Sequence, residues 1–224
     1  MIYNKLLENI ILPTGDTILG SSYIKKLNEW RGISLLNSSE IEELSIRNLE
    51  RILAFASNNV PFYNRFAKTN DEDPLLWIKR IPVIDKTTII NNIDKLVSVP
   101  SKKLIASYSS GSTGVNGVVY MNKQEQSAAQ AIQTLFWEWS GYYPGKPILQ
   151  NGITPDRGLV KTTKDLFFNT KYFSAFSLNE KEIIKILKKQ RGKKNYHMGG
   201  YASALNLLAE YSLNEGFNDI HFDA

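Results

Sequence analysis

The chain has 224 residues, 42% of them hydrophobic and 11% aromatic, which is enough to bury a sizeable core and excludes a disordered polymer. It contains no cysteine, so disulfides, thiolate zinc sites and cysteine nucleophiles are excluded. The net charge of +5 suits an anionic ligand, nucleic acid or a membrane surface, while only two histidines, His197 and His221, argue against a histidine-rich metal site.

Helical signals dominate the first hundred residues. Ser39 and Glu42 have the spacing of a capping box and open an amphipathic pattern that ends before Pro61. Asp85 is placed to cap a second helix, whose apolar face carries isoleucines at helical spacing. We therefore predict that residues 1–100 form a mostly helical N-terminal segment.

The pattern changes after residue 100. The β-prone runs "KLIASYSS" and "GVVYM" flank a glycine-rich segment, and a helix is predicted from Lys123 to Trp139, with Trp139 in the core. Strands are predicted at "KPILQN", "NYHM" and "NDIHFDA". Between them, one helix is predicted to begin at a cap, Asn179 or Ser177, and to end at Gly192, and a second helix, in "GGYASALNLLAEYSLNEG", is predicted to end at Gly216. This alternation predicts an α/β part at 101–224, with a mixed or parallel sheet and flanking helices.

The glycine-rich segment has the chemistry of a phosphate-binding loop. Glycines allow close backbone approach and N–H donation, and hydroxyl side chains add further donors. The residues are Ser109, Ser110, Gly111, Ser112, Thr113 and Gly114. The segment matches neither the P-loop nor the dinucleotide-binding glycine spacing. The segment by itself is equally typical of a flexible hairpin turn.

"YSSGSTG" after a strand resembles the phosphate loop of the adenylate-forming superfamily, which includes acyl- and aryl-CoA synthetases. "ILAFASNNVPFYNRF", "IPVIDKTTIINNIDKLVS" and "GGYASALNLLAEY" resemble segments of its phenylacetate–CoA ligase branch. Within that branch the resemblance is greatest to relatives in capsule and exopolysaccharide biosynthesis. It covers about residues 35–224 and implies part of the large N-terminal domain of these enzymes.

The resemblance implies an enzyme that joins a small carboxylate to AMP and then passes the acyl group to CoA or another thiol. ATP phosphates would bind at Ser109–Gly114, with Ser112 and Thr113 as hydroxyl donors, and Mg²⁺ is expected with the ATP. Tyr201 and Ser203 lie where the family begins to line its acyl pocket, although a tyrosine at a helix start is more typical of packing. No catalytic residue and no metal ligand is assigned.

The sequence departs from the family at two points. The Pro-Lys pair that follows the last loop glycine in many members is replaced by Val115 and Asn116. The later family motifs, including the glutamate segment near the adenine and the small domain that carries the adenylation lysine, are not found. We therefore expect an incomplete domain that is inactive alone and that associates with itself or with a complementary chain through an exposed sheet edge.

Two other functions are alternatives to this interpretation. A truncated or degenerate chain could serve as a non-catalytic interaction module, which is the main alternative. A nucleic-acid-binding module is disfavoured, because the densest basic run, at 187–194, lies at a predicted helix end where lysines are usually solvated. His197 and His221 are interpreted as core histidines rather than bases.

The chain is predicted to be cytoplasmic and to lack a membrane span. No apolar run approaches the roughly 18 residues of a transmembrane helix. The N-terminal apolar patch is interrupted by Glu8 and is followed by no small-residue cleavage site, so no signal peptide is predicted.

Overall fold

A computed structural model describes residues 2–108, 117–152, 158–175, 178–193 and 197–223, with only the backbone at 158–161. The fold is mixed α/β and mostly helical, with a small antiparallel and a small parallel sheet, which confirms the predicted class. The chain divides into two compact units. The central unit is Asp16–Ala131, and the terminal unit comprises Met1–Gly15 and Ile132–Ala224.

The helices and strands follow one another in a simple order. The helices are α1 (Ile2–Leu6), α2 (Leu12–Leu19), α3 (Tyr23–Ile33), α4 (Ser38–Asn59), α5 (Pro74–Lys79), α6 (Lys86–Asn91), α7 (Lys123–Glu138), α8 (Gly158–Phe167), α9 (Glu180–Gln190) and α10 (Ala202–Asn214). The strands are β1 (Ile105–Tyr108), β2 (Val118–Met121), β3 (Ile148–Gly152), β4 (Thr170–Ser174) and β5 (His197–Gly199). A π-helical turn, Leu7–Ile11, joins α1 to α2.

Side-chain caps fix the starts of helices α4 and α6 in the central unit. Asp85 accepts the Thr88 N–H at 2.7 Å, which confirms the predicted cap of α6. The capping box of α4 is formed by Asn37 and Glu40, so the predicted Ser39–Glu42 box is wrong. Both pairs have the spacing of a box, but the helix already begins at Ser38 and the Ser39 hydroxyl donates to Asn37 Oδ1 instead.

A buried tryptophan anchors the packing of α5 in the central unit. Trp77 is 1% exposed, and its indole Nε1–H donates to the Phe66 carbonyl at 2.6 Å. The ring therefore supplies apolar contact on one side and satisfies a backbone acceptor on the other.

The short strands β1 and β2 pair antiparallel. Tyr108 lies opposite Val118, and Ile105 lies opposite Met121. Both strands were predicted from the sequence. Their pairing brings together the two ends of the segment 109–116, which itself lies outside the described residues.

The terminal unit is built on a parallel sheet with strand order β4-β3-β5 among the described residues. A buried apolar cluster combines side chains of the sheet with those of α9 and α10. Its members are Leu149, Phe173, Ile183, Leu187, Leu208 and Phe217. Asn179 caps α9 by accepting the Glu182 N–H at 3.0 Å, which confirms one of the two predicted caps.

Three elements of the terminal unit were not predicted correctly. Strand β4 and helix α8 were not predicted from the sequence. The predicted strand "NDIHFDA" is wrong, since residues 217–223 form no strand. Ile220 and Phe222 have the alternation of a strand, but they pack their side chains against the apolar cluster instead of pairing with β5.

Helix α7 begins at the predicted residue, but its buried face does not include Trp139. Ser127, Ala131, Thr134 and Leu135 are buried, whereas Trp139 is 69% exposed, so its assignment to the core is wrong. Small polar residues can line a buried helix face when local acceptors satisfy them. The Ser127 hydroxyl does this by donating to the Lys123 carbonyl at 2.8 Å.

Within the described ranges, no helix combines the length and apolar character that crossing a bilayer requires. The division of the chain at residue 100, into a helical segment 1–100 and an α/β part 101–224, stays a prediction.

Replacement of the two tryptophans described above should give very different results. Trp77→Phe is expected to lower the free energy of unfolding by about 2–3 kcal/mol, because it leaves a void and orphans the Phe66 carbonyl. Trp139→Phe, the matched control, should change it by less than about 0.5 kcal/mol. Urea denaturation of both variants measures this, and equal effects would contradict the assignment of Trp77 to the core.

Candidate functional site

The predicted phosphate-binding residues, Ser109 to Gly114, lie outside the described residues, so their role stays a prediction. The structure describes what holds the two ends of this segment. Tyr108 and Val118 are paired at the end of the β1–β2 ladder. A short connection that leaves and re-enters a strand pair is the setting in which a glycine-rich segment can present several N–H groups to one ligand.

The second candidate region is the carboxyl edge of the parallel sheet. Strands β3, β4 and β5 run in the same direction, so Gly152, Ser174 and Gly199 end at one edge. This is the edge at which open α/β sheets usually bind ligands. Helix α10 begins there, directly after β5.

Both predicted acyl-pocket residues lie at the start of α10. Tyr201 is the N-cap residue and is 50% exposed, and Ser203 is the second residue of the helix and is also exposed. The structure thus places the pair together at the sheet edge. Their contact with a substrate stays a prediction.

Asn151, which the sequence analysis did not single out, ties β3 to this helix start. Its Oδ1 accepts the Tyr201 N–H at 2.8 Å, which fixes the orientation of the amide. The residue is 8% exposed, and its Nδ2 makes no hydrogen bond in the part of the chain that the structure describes. The available signal was an Asn-Gly pair at the end of a predicted strand.

Gly200 is required by this contact. Its φ is +156°, and a Cβ at this position would lie 2.2–2.3 Å from Cγ, Oδ1 and Nδ2 of Asn151. Any side chain at residue 200 would therefore displace the amide.

His197 begins β5, at the opposite edge of the sheet. It is 2% exposed, and neither ring nitrogen makes a hydrogen bond within the described ranges. The predicted burial of His197 in the core is confirmed. His221 is exposed, so its interpretation as a core histidine is wrong.

The charged groups near His197 are Lys146 and Asp223, which form an ion pair at 2.9 Å. Burial of the imidazole, and then the Lys146 ammonium, lower the pKa of His197, and the Ser140 backbone and the Asp223 carboxylate oppose this only in part. The ring also packs edge-to-face on Tyr142, with centroids 5.7 Å apart. The folded chain therefore holds this histidine neutral.

The described residues contain no group of three or more histidine, aspartate or glutamate side chains that could hold a metal ion. We therefore assign no metal ligand among them.

No family model matches the chain. In sequence it is 26% identical over 193 residues to Protein CapK of Staphylococcus aureus, a match that covers 80% of this chain and 42% of that protein. In structure it is similar to a 2-hydroxyisobutyryl-CoA ligase in an open conformation, in complex with 2-HIB-AMP and CoA. That match has a TM-score of 0.53 and 17% identity, and covers 82% of this chain and 45% of the ligase.

The chain therefore spans less than half the length of each of these two proteins. The structural match shows that the chain has part of the fold of the ligase. The two matches together support the predicted relationship to adenylate-forming enzymes, over part of the length of the relatives.

Because the folded chain favours the neutral form of His197, we expect the chain to become less stable at acidic pH. The unfolded chain takes up a proton on this histidine near pH 6.5, whereas the folded chain does so only at lower pH. The free energy of unfolding should therefore fall as the pH drops below about 6.5, by at most about 1.4 kcal/mol per pH unit for one proton.

Urea denaturation between pH 7.5 and 5 measures this loss. His197→Leu should reduce the pH dependence, and His221→Leu, at an exposed position, should keep it. An unchanged pH dependence in His197→Leu would show that other groups cause the loss.

Proposed function

We propose that the chain is the ATP-binding N-terminal part of an AMP-forming carboxylate ligase of the acyl- or aryl-CoA ligase type. The observation that carries the proposal is the Ser109–Gly114 motif, which joins two antiparallel strands in a chain with part of a CoA ligase fold. The likeness to Protein CapK over most of the chain gives separate support.

ATP would supply the α-phosphate that a carboxylate oxygen attacks, with cleavage of the bond between the α-phosphate and the departing pyrophosphate. Negative charge grows on the phosphates in such a transfer, so preorganised donors stabilise it. Ser112 and Thr113 would donate their hydroxyls to the β- and γ-phosphates. Gly111 and Gly114 would let the backbone N–H groups approach, and Ser109 and Ser110 would complete the loop.

The acid substrate would bind at the carboxyl edge of the parallel sheet, where Tyr201 and Ser203 begin α10. The acyl acceptor is proposed to be CoA or another thiol, since the structurally similar ligase was solved with CoA. Mg²⁺ is expected to accompany ATP, and no step is assigned to it. The proposed setting is capsule or exopolysaccharide biosynthesis in the cytoplasm, supported by the motif resemblance and by the likeness to Protein CapK.

We further propose that the chain binds ATP without completing adenylation alone, and that it associates with itself or with a complementary chain. The chain matches less than half of the length of each of the two relatives. A non-catalytic interaction module is the second candidate, on the same observation.

Calorimetric titration of the chain with ATP tests the proposal. The double variant Ser112→Ala, Thr113→Val is expected to weaken ATP binding at least about tenfold, because hydrogen bonds to charged groups contribute about 1.5–3 kcal/mol each. Ser107→Ala, an exposed serine in β1 near the same loop, is the matched control and should bind like the wild type.

Equal ATP binding by the double variant and the control would contradict the phosphate-loop assignment. If the wild-type chain binds no ATP, the interaction module becomes the better description. Pyrophosphate exchange by the chain alone would contradict the proposal that it does not complete adenylation.

A further inference from the structure

We propose that Asn151 and the first turn of α10 form a binding site for a carboxylate group. The proposal uses three backbone and side-chain donors at the carboxyl edge of the sheet: Asn151 Nδ2 and the N–H groups of Ala202 and Ser203. It rests on the proposed function for one point only, that the carboxylate belongs to the acid substrate.

The first observation is the open start of α10, a helix of 13 residues. Its N-cap residue, Tyr201, provides no side-chain cap, and its first turn carries no acidic residue. The N–H groups of Ala204 and Leu205 donate to the Tyr201 carbonyl. Those of Ala202 and Ser203 make no hydrogen bond to any described residue, and both residues are exposed. Such a helix start attracts anions through its unpaired donors and its dipole.

The second observation is the unpaired amide of Asn151, which is 92% buried given its exposure of 8%. The Tyr201 N–H donates to Oδ1, which fixes the orientation of the amide. The Nδ2 group is therefore the donor without a partner. The whole amide lies against Gly200, the residue before the N-cap. A buried donor without a partner is costly, so a ligand acceptor that reaches it recovers a large part of that cost.

A carboxylate fits these donors because it accepts several hydrogen bonds through two oxygens. The Nδ2 atom is shielded from solvent. Binding therefore includes a small opening of the turn at Gly200, where the absence of a side chain leaves the backbone free to adjust.

Two variants test the side-chain donor and the backbone donors separately. Asn151→Asp keeps an oxygen for the Tyr201 N–H but replaces the NH₂ donor by a charge that repels a carboxylate. Ala202→Pro removes the first helix N–H at a position where proline is favoured, and Tyr201, with ψ of 130°, already has the backbone that precedes a proline. Asn214→Asp is the matched control, with the same charge change at the exposed far end of α10.

The experiment is a titration of the ¹⁵N-labelled chain with sodium acetate, followed through the side-chain NH₂ signals of Asn151 and the amide signals of Ala202 and Ser203. Acetamide and sodium chloride at matched concentration are the reference solutes. All three sets of signals should shift with one dissociation constant for acetate. Acetamide should bind the wild-type chain about tenfold more weakly than acetate does, and Ala202→Pro should bind acetate about tenfold more weakly than the wild type. Asn151→Asp should bind no acetate, and Asn214→Asp should bind acetate like the wild type.

The proposal is overturned if acetate does not shift the Asn151 NH₂ signals, or if Ala202→Pro binds acetate like the wild type. Tighter binding of inorganic phosphate than of acetate would overturn the carboxylate assignment. If Asn151→Asp does not fold, the acetate titrations of the wild type and of Ala202→Pro still test whether the site exists. Acetate is titrated without nucleotide, so the two proposals can fail separately. Binding of ATP without binding of acetate would refute only the carboxylate site. Binding of acetate without binding of ATP would refute only the ATP proposal.

Discussion

The pairing of β3 with both β4 and β5 is the interaction on which the terminal unit depends. Each residue of β3 from Ile148 to Gly152 faces a partner on β4, and its first three also face β5. This parallel register brings the strand ends to one edge, and it sets Asn151 beside the turn into α10. The contact of Asn151 with the Tyr201 N–H and the required glycine at residue 200 both follow from that placement.

Local signals in the sequence were sufficient for most elements. Strands β1 and β2, the caps Asp85 and Asn179, and helices α7 and α10 were predicted because each depends on neighbouring residues. The failures involve longer-range packing. Nothing local distinguishes the Asn37 box from a Ser39 box two residues later, and the exposure of Trp139 depends on which face of α7 is buried. Residues 217–223 alternate like a strand, but only a neighbouring strand could have made them one.

The candidate site could be predicted only in part. The hydroxyl and glycine pattern of Ser109–Gly114 is visible in the sequence, and the resemblance located Tyr201 and Ser203, which the structure places together at the start of α10. Asn151 was missed because its importance comes from a contact 50 residues along the chain. A partial ligase fold and a relative matched over 42% of its length support a relationship to adenylate-forming enzymes. The ATP chemistry proposed for this chain depends on Ser109–Gly114, whose role stays a prediction.

The proposed function is tested most directly by finding which residues ATP contacts. Backbone amide signals of the ¹⁵N-labelled chain can be followed as ATP is added at a physiological salt concentration. If the glycine-rich segment binds the phosphates, the amide signals with the largest saturable shifts should be those of Ser109–Gly114. Shifts that are absent there, or that are confined to the basic surface at Lys188, Lys189 and Lys193 and disappear with added salt, would contradict the assignment of this chain as the ATP-binding part of a ligase.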